Sequence, residues 1–157
     1  DEVINGARDI LSVVFIIAVA RGVSVLMSKT YLDNYIIYNV ADMLEGTPVA
    51  LFTPCNFILH LVLSVLVPSS SGLATISTPI MAPLAFQLGY SVETTIMTFV
   101  AANGLVNLIT PTCGAIMGGL ALAKVNYTTW VKWATKVVIL IGLASMLILT
   151  FASVILS

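Results

Sequence analysis

Apolar runs of membrane-spanning length alternate with short polar knots along this chain. Ile10 to Met27 contains one charge, Arg21, and Val137 to Leu156 contains none. A hydrocarbon core about 30 Å thick needs roughly 20 apolar helical residues to cross it, so the pattern predicts spanning helices over 9–28 and 130–156. Between 31 and 45, Leu32, Tyr35, Ile36, Val40 and Leu44 recur at helical spacing among Asp33, Asn34, Asn39, Asp42 and Glu45. That alternation predicts an amphipathic helix lying in the membrane interface. Tyr31, Tyr35 and Tyr38 suit the headgroup belt, and Gly46-Thr47-Pro48 ends the element.

Two knots interrupt the remaining apolar sequence. The first, Val67-Pro68-Ser69-Ser70-Ser71-Gly72-Leu73-Ala74-Thr75, lies within Gly46 to Val92, where there is no Asp, Glu, Lys or Arg. Non-helical backbone at membrane depth must be buried in protein or line a wet cavity. A re-entrant hairpin over 49–88 with its tip at 68–72 meets that condition, and two full spans joined by a short loop are the alternative. Pro79 and Pro83 predict a bent, poorly continuous return arm. The second knot, Asn107-Leu108-Ile109-Thr110-Pro111-Thr112-Cys113-Gly114, predicts a spanning helix over 92–123 that is broken at 108–114.

Composition decides the class. The chain has 157 residues, 59% hydrophobic and 8% charged, with mean hydropathy +1.10, against about 25% charged in a soluble domain. The fold class predicted is all-α integral membrane, a single unit over 1–157. A net charge of −1 gives no reason to expect a nucleic-acid partner. Cys55 and Cys113 sit in apolar surroundings and are expected to be reduced thiols. Lys124, Lys132 and Lys136, with Tyr127, Trp130 and Trp133, mark a cytoplasmic interfacial loop by the positive-inside tendency. Arg8 fits an entry from the same side. The chain opens Asp1-Glu2-Val3 without Met or a signal peptide, and reads as a piece of a longer protein.

The candidate chemistry lies in the knots. Freed carbonyls and hydroxyls can replace the hydration shell of Na⁺, and half-helix N-termini favour an anion. Ser69, Ser70, Ser71, Gly72 and Thr75 would act at the hairpin tip. Asn103, Asn107, Thr110, Pro111, Thr112 and Gly114 would complete the site from the second break. A single Ser or Thr can equally be bonded back to its own helix; the combination is what carries the signal. Arg21 is expensive at membrane depth. It would either snorkel to headgroups or face the interior and hold a carboxylate. His60 lies among leucines and is expected to be a neutral ring packed against helix partners, with a proton relay as the functional alternative. No nucleophile–base set, metal-ligand cluster or glycine-rich phosphate loop supports an enzyme.

Pro68-Ser69-Ser70-Ser71-Gly72-Leu73-Ala74-Thr75 resembles the C4-dicarboxylate anaerobic carrier family, in its YfcC-like branch. So do Asn107-Leu108-Ile109-Thr110-Pro111-Thr112, Gly118-Gly119-Leu120-Ala121-Leu122, Asn5-Gly6-Ala7-Arg8-Asp9 and Ala20-Arg21-Gly22. The resemblance covers the whole chain, but only the C-terminal portion of such a carrier. It implies membership of the ion transporter superfamily, and hence one inverted-repeat half with a re-entrant helical hairpin and an unwound transmembrane helix. It further implies a homodimer moving as an elevator in the bacterial inner membrane. The missing N-terminal repeat, the lipid bilayer and a small organic anion or amino acid would be its partners, with Na⁺ as coupling ion at Ser69, Ser70 and Thr110 and no other cofactor. Relatives place Ser-Asn-Thr where Ser69-Ser70-Ser71 stand here. Transport would be ion-coupled or by exchange. A structural or channel-like subunit, whose helix breaks serve packing only, is the competing expectation, and an intramembrane enzyme using His60 a weaker third.

Overall fold

The computed structural model describes residues 2–67 and 69–156, and in the first helix the side chains at 4, 11, 14, 15, 17–19, 22, 23 and 25–29. Pro68 and the side chains of Arg8 and Arg21 lie outside the described residues. Among the described residues seven helices follow one another: α1 (Glu2–Lys29), α2 (Leu32–Leu44), α3 (Val49–Leu66), α4 (Ser70–Gln87), α5 (Val92–Ile109), α6 (Gly114–Leu122) and α7 (Tyr127–Leu156). Three stretches among the described residues are long and apolar enough to cross a membrane: Val49–Leu66, Val92–Leu122 and Tyr127–Leu156.

The helix ends follow from local chemistry. Tyr31 turns the chain after α1 in the left-handed region, φ 55, with the Thr30 hydroxyl bonded back to the Leu26 carbonyl at 2.8 Å. Ser69 and Ser91 cap α4 and α5, each hydroxyl accepting a backbone N–H three residues on, from Gly72 and Thr94, both at 3.2 Å. Gly89 closes α4 at φ +77, where the Tyr90 N–H bonds the Ala85 carbonyl at 2.8 Å. A residue without Cβ takes that backbone angle at no steric cost.

Two expectations are corrected. The apolar pattern predicts that helix one starts at 9, yet α1 runs unbroken from Glu2. Nothing in that stretch stops a helix, because polarity marks a membrane boundary, not a helix boundary. The return arm is also one helix through Pro79 and Pro83. Each proline lacks the N–H that would bond the carbonyl four residues earlier, so Thr75 and Pro79 lose their helical partners. The two prolines are themselves four apart and share a face. Both missing bonds therefore fall on one side, and the helix continues on the bonds of the other.

Packing has two centres. Ile37 and Leu44 of α2, Phe52 and Leu63 of α3, and Leu73 and Met81 of α4 form one apolar cluster. Phe57, Ala102 and Leu105 form a second, against Val138, Met146 and Leu149 of α7. Helices α3, α5 and α7 pack mutually against one another, and α1 rests on α6 and α2. Through both centres runs a polar seam. Thr53, Asn56, His60 and Ser64 occur on α3 at spacings of three, four and four and are all fully or almost fully buried. Thr53 donates to Ser153 at 2.9 Å, and the Asn56 amide reaches the Thr95 carbonyl at 3.4 Å. Lipid tails are as apolar as leucine, so such interhelical bonds help to specify which helix faces which.

Candidate functional site

The seam ends in a four-residue cluster at the junction of α3, α4 and α5. Ser70, the first residue of α4, donates its hydroxyl to Asn103 Oδ1 at 2.5 Å. Asn107 Nδ2, one turn further along α5, donates to the same Oδ1 at 3.0 Å and to Ser70 Oγ at 3.3 Å. Asn103 Nδ2 donates to Ser64 Oγ at 3.0 Å. The Asn103 amide therefore binds the end of α3, the start of α4 and the next turn of its own helix together. Asn103 and Ser64 are buried, while Ser70 is exposed, so the cluster grades from a closed base to an open mouth.

The α4 N-terminus forms the other wall of that mouth. With Ser69 Oγ occupied by the Gly72 N–H, the Ser70 and Ser71 N–H groups have no partner within the helix. A Cβ at Gly72 would stand 3.1 Å from Ser69 Oγ, so any larger residue there would press on the capping hydroxyl. The Ser71 hydroxyl lies 3.5 Å from that of Ser69. Thr75 is bonded back to the Ser71 carbonyl at 2.8 Å, the helix-bonded alternative that any single threonine offers.

The second break spans Thr110 to Cys113. Thr110, buried, pairs its hydroxyl with that of Thr112 at 2.8 Å. Among the described residues no hydrogen bond ties this pair to Ser69, Ser70 or Ser71. Pro111 is half-buried, and Gly114 opens α6 where a Cβ would meet Ile17 of α1 at 3.2 Å; it serves the approach of α1. Two of the α5 carbonyls that the break would orphan are taken up by α7. The Tyr127 phenol donates to the Ile109 carbonyl at 2.5 Å, and the Trp130 indole N–H to the Leu108 carbonyl at 3.0 Å.

Sequence reasoning therefore gathered Ser70, Asn103 and Asn107 into one site and missed Ser64, Tyr127 and Trp130. A signal for Ser64 existed in its spacing from Asn56 and His60. The aromatic pair was read only as an interfacial belt. The side chain of Arg21 lies outside the described residues. Every group in the cluster is neutral. A cation would meet hydroxyl and amide oxygens, and an anion would meet the N–H groups at the start of α4.

No solved structure matches the chain. A protein of Haemophilus influenzae named "Uncharacterized protein" is 28% identical over 134 residues, covering 85% of this chain and 26% of its own length. The "Putative basic amino acid antiporter YfcC" of Escherichia coli K12 is 25% identical over 133 residues, covering 82% of this chain and 26% of its own. The chain thus spans about a quarter of the length of these curated relatives. The sequence model described as C4-dicarboxylate anaerobic carrier matches residues 1–155. That match takes in both polar knots and runs from α1 to the penultimate residue of α7, and on it the chain belongs to the C4-dicarboxylate anaerobic carrier family.

Proposed function

We propose that this chain is the C-terminal part of a secondary active transporter for a small carboxylate-bearing solute, a C4-dicarboxylate or an amino acid. It is a carrier and not an enzyme, working in the bacterial inner membrane as part of a homodimer that moves its site across the bilayer as an elevator. Helices α3 and α4 are the arms of a re-entrant hairpin with Ser69, Ser70 and Ser71 at its tip. Helices α5 and α6 are one transmembrane helix unwound at Thr110 to Cys113. The solute carboxylate is received by the free N–H groups at the start of α4. A coupling Na⁺ would take oxygens from Ser69, Ser70 and Thr110; otherwise the driving force is H⁺ or exchange of one solute for another. Arg21, turned inward, would hold a carboxylate.

The observation that carries this reading is the Asn103 amide. It joins the α3–α4 tip to the end of α5 at a point where the chain offers only uncharged donors and acceptors. Helix termini and polar side chains converging at mid-membrane are the recurring design of ion-coupled carriers. The name of the Escherichia coli relative favours a basic amino acid and exchange among the options. One observation favours the rival reading of a packing motif: the Asn103 amide meets its partners entirely within the protein.

Ligand-dependent thermal stabilisation of the full-length carrier in detergent decides between them. Succinate, fumarate, arginine, ornithine and neutral amino acids are each tested with and without Na⁺. A shift needing one solute class and Na⁺ names the substrate and the coupling. A shift indifferent to Na⁺ assigns exchange or proton coupling. Ser70→Ala and Thr110→Ala should abolish the shift while the carrier stays folded; an unchanged shift in both variants refutes the assignment of the site.

A further inference from the structure

His60 lies one helical turn before Ser64 on the same buried face of α3, and the transport site just described does not use it. Its Nδ1 is 2.8 Å from the Asn56 carbonyl oxygen. A carbonyl only accepts, so Nδ1 carries the hydrogen. In the neutral ring Nε2 is then an acceptor, and the Ser77 hydroxyl of α4 donates to it at 2.5 Å. The Phe99 ring of α5 meets the imidazole edge-on, centroids 5.2 Å apart at 71°. His60 therefore ties α3, α4 and α5 together, with one nitrogen committed and one able to change role.

Beside it is a cavity of about 10 Å³ whose polar lining includes Ser77, Thr78 and Thr95. That is room for about one water molecule. Asn56 Oδ1, buried one turn before the ring, has no hydrogen-bond partner among the described residues, an acceptor that most buried side chains do not leave unused. Among the described residues, no charged or further titratable group lines the cavity beside the ring. The cavity that the ring lines is walled from α4 by Ser77, Thr78, Met81 and Ala82 and from α5 by Thr95, Ile96 and Phe99. The acids and bases of the packed helices lie elsewhere. Glu93 opens α5, exposed and bonded to Ser91 at 3.0 Å. Asp33 on α2 is bonded to Ser28 at 3.1 Å. Asp42 and Glu45 are exposed at the end of α2, and Lys132 and Lys136 are exposed on α7.

We propose that His60 Nε2 is a proton-binding site distinct from the Ser64–Ser70–Asn103–Asn107 cluster, and that its occupancy reverses the hydrogen bond between the two hairpin arms. A proton delivered from bulk solvent through the cavity binds Nε2, and the ring gains one positive charge. Nε2–H becomes a donor, so the Ser77 oxygen must accept and its own hydrogen must turn to another acceptor. The cation is met by the Asn56 carbonyl at Nδ1–H and by the Ser77 oxygen at Nε2–H. The inference rests on the transport reading in one respect: the coupled ion becomes H⁺, taken one turn from the solute site.

The test uses the full-length carrier labelled with ¹⁵N-histidine, with the His60 signals assigned by their loss in His60→Gln. The expected result is an unprotonated Nε2 at about pH 8 that takes up a proton on acidification towards about pH 5. A ring whose Nε2 stays unprotonated at the acid end, in folded carrier, overturns the proposal. Should His60→Gln not fold, Ser77→Ala identifies the same resonance by moving it. In proteoliposomes, solute-driven proton movement should fall at least about tenfold in His60→Gln, with solute affinity held within about threefold. Proton movement that persists in the variant also overturns the proposal. A ring that titrates in a carrier that binds and moves none of the solutes refutes the transport reading instead, and leaves the proton site standing.

Discussion

Removing the Asn103 amide tests the cluster most directly. Asn103→Ala deletes three hydrogen bonds at once: to Ser70 at 2.5 Å, Asn107 at 3.0 Å and Ser64 at 3.0 Å. Side-chain bonds between membrane helices average about 0.6 kcal/mol and reach about 1.7 kcal/mol. Three of them, with Ser64 left buried and without its donor, amount to roughly 2–3 kcal/mol of lost stability. The Ser70–Asn103 bond is the shortest of the three and stands between two helices, so it should account for about 1 kcal/mol. The assay is a double-mutant cycle of Ser70→Ala and Asn103→Ala in the full-length carrier, unfolded by denaturant in lipid–detergent micelles. Groups in contact give a coupling energy, whereas independent sites add to within about 0.3–0.5 kcal/mol. Additivity within that margin would mean that the start of α4 does not touch α5 through this pair. The cluster would then not be the joint between the helix pair and the broken helix.

Three further outcomes follow from helix ends. Gly72→Ala should cost about 1 kcal/mol, as should Ser69→Ala, because each disrupts the α4 cap; combining them should cost little more than either alone, read from the same unfolding curves. Lys124 follows α6 in the left-handed region at φ 54, with the Val125 N–H bonded to the Leu120 carbonyl at 3.0 Å. Lys124→Gly should therefore stabilise by roughly 0.5–1 kcal/mol, and a loss of stability would contradict that backbone geometry. Tyr127→Phe removes the donor to the Ile109 carbonyl and should cost about 1 kcal/mol. Amide exchange should quicken at Thr110, Thr112 and Cys113, and an equal change along the whole of α5 would show that the phenol does not act locally.

The sequence by itself determined the class and the family. With 8% charge and long uncharged runs, the chain cannot build a soluble surface, and the apolar stretches have the length that a bilayer demands. Caps are local as well: Ser91 opens α5, and Thr110-Pro111 lies beyond its end, because both depend on groups within four residues. The two α4 prolines were misjudged because proline's cost was counted residue by residue, whereas sharing one face lets the opposite side keep its bonds. Tertiary structure alone decided which polar side chains meet. The bonds of Asn103 to Ser70 and Ser64, and of Asn107 to Ser70, join residues 33 to 39 positions apart. Whether they form depends on the rotation and height of whole helices, which apolar periodicity in a nearly all-apolar segment does not specify. Ser64 and His60 look alike in the sequence, as isolated polar residues in a leucine-rich helix. Only the neighbours brought by α4 and α5 separate them, giving one an amide donor from Asn103 and the other a hydroxyl from Ser77.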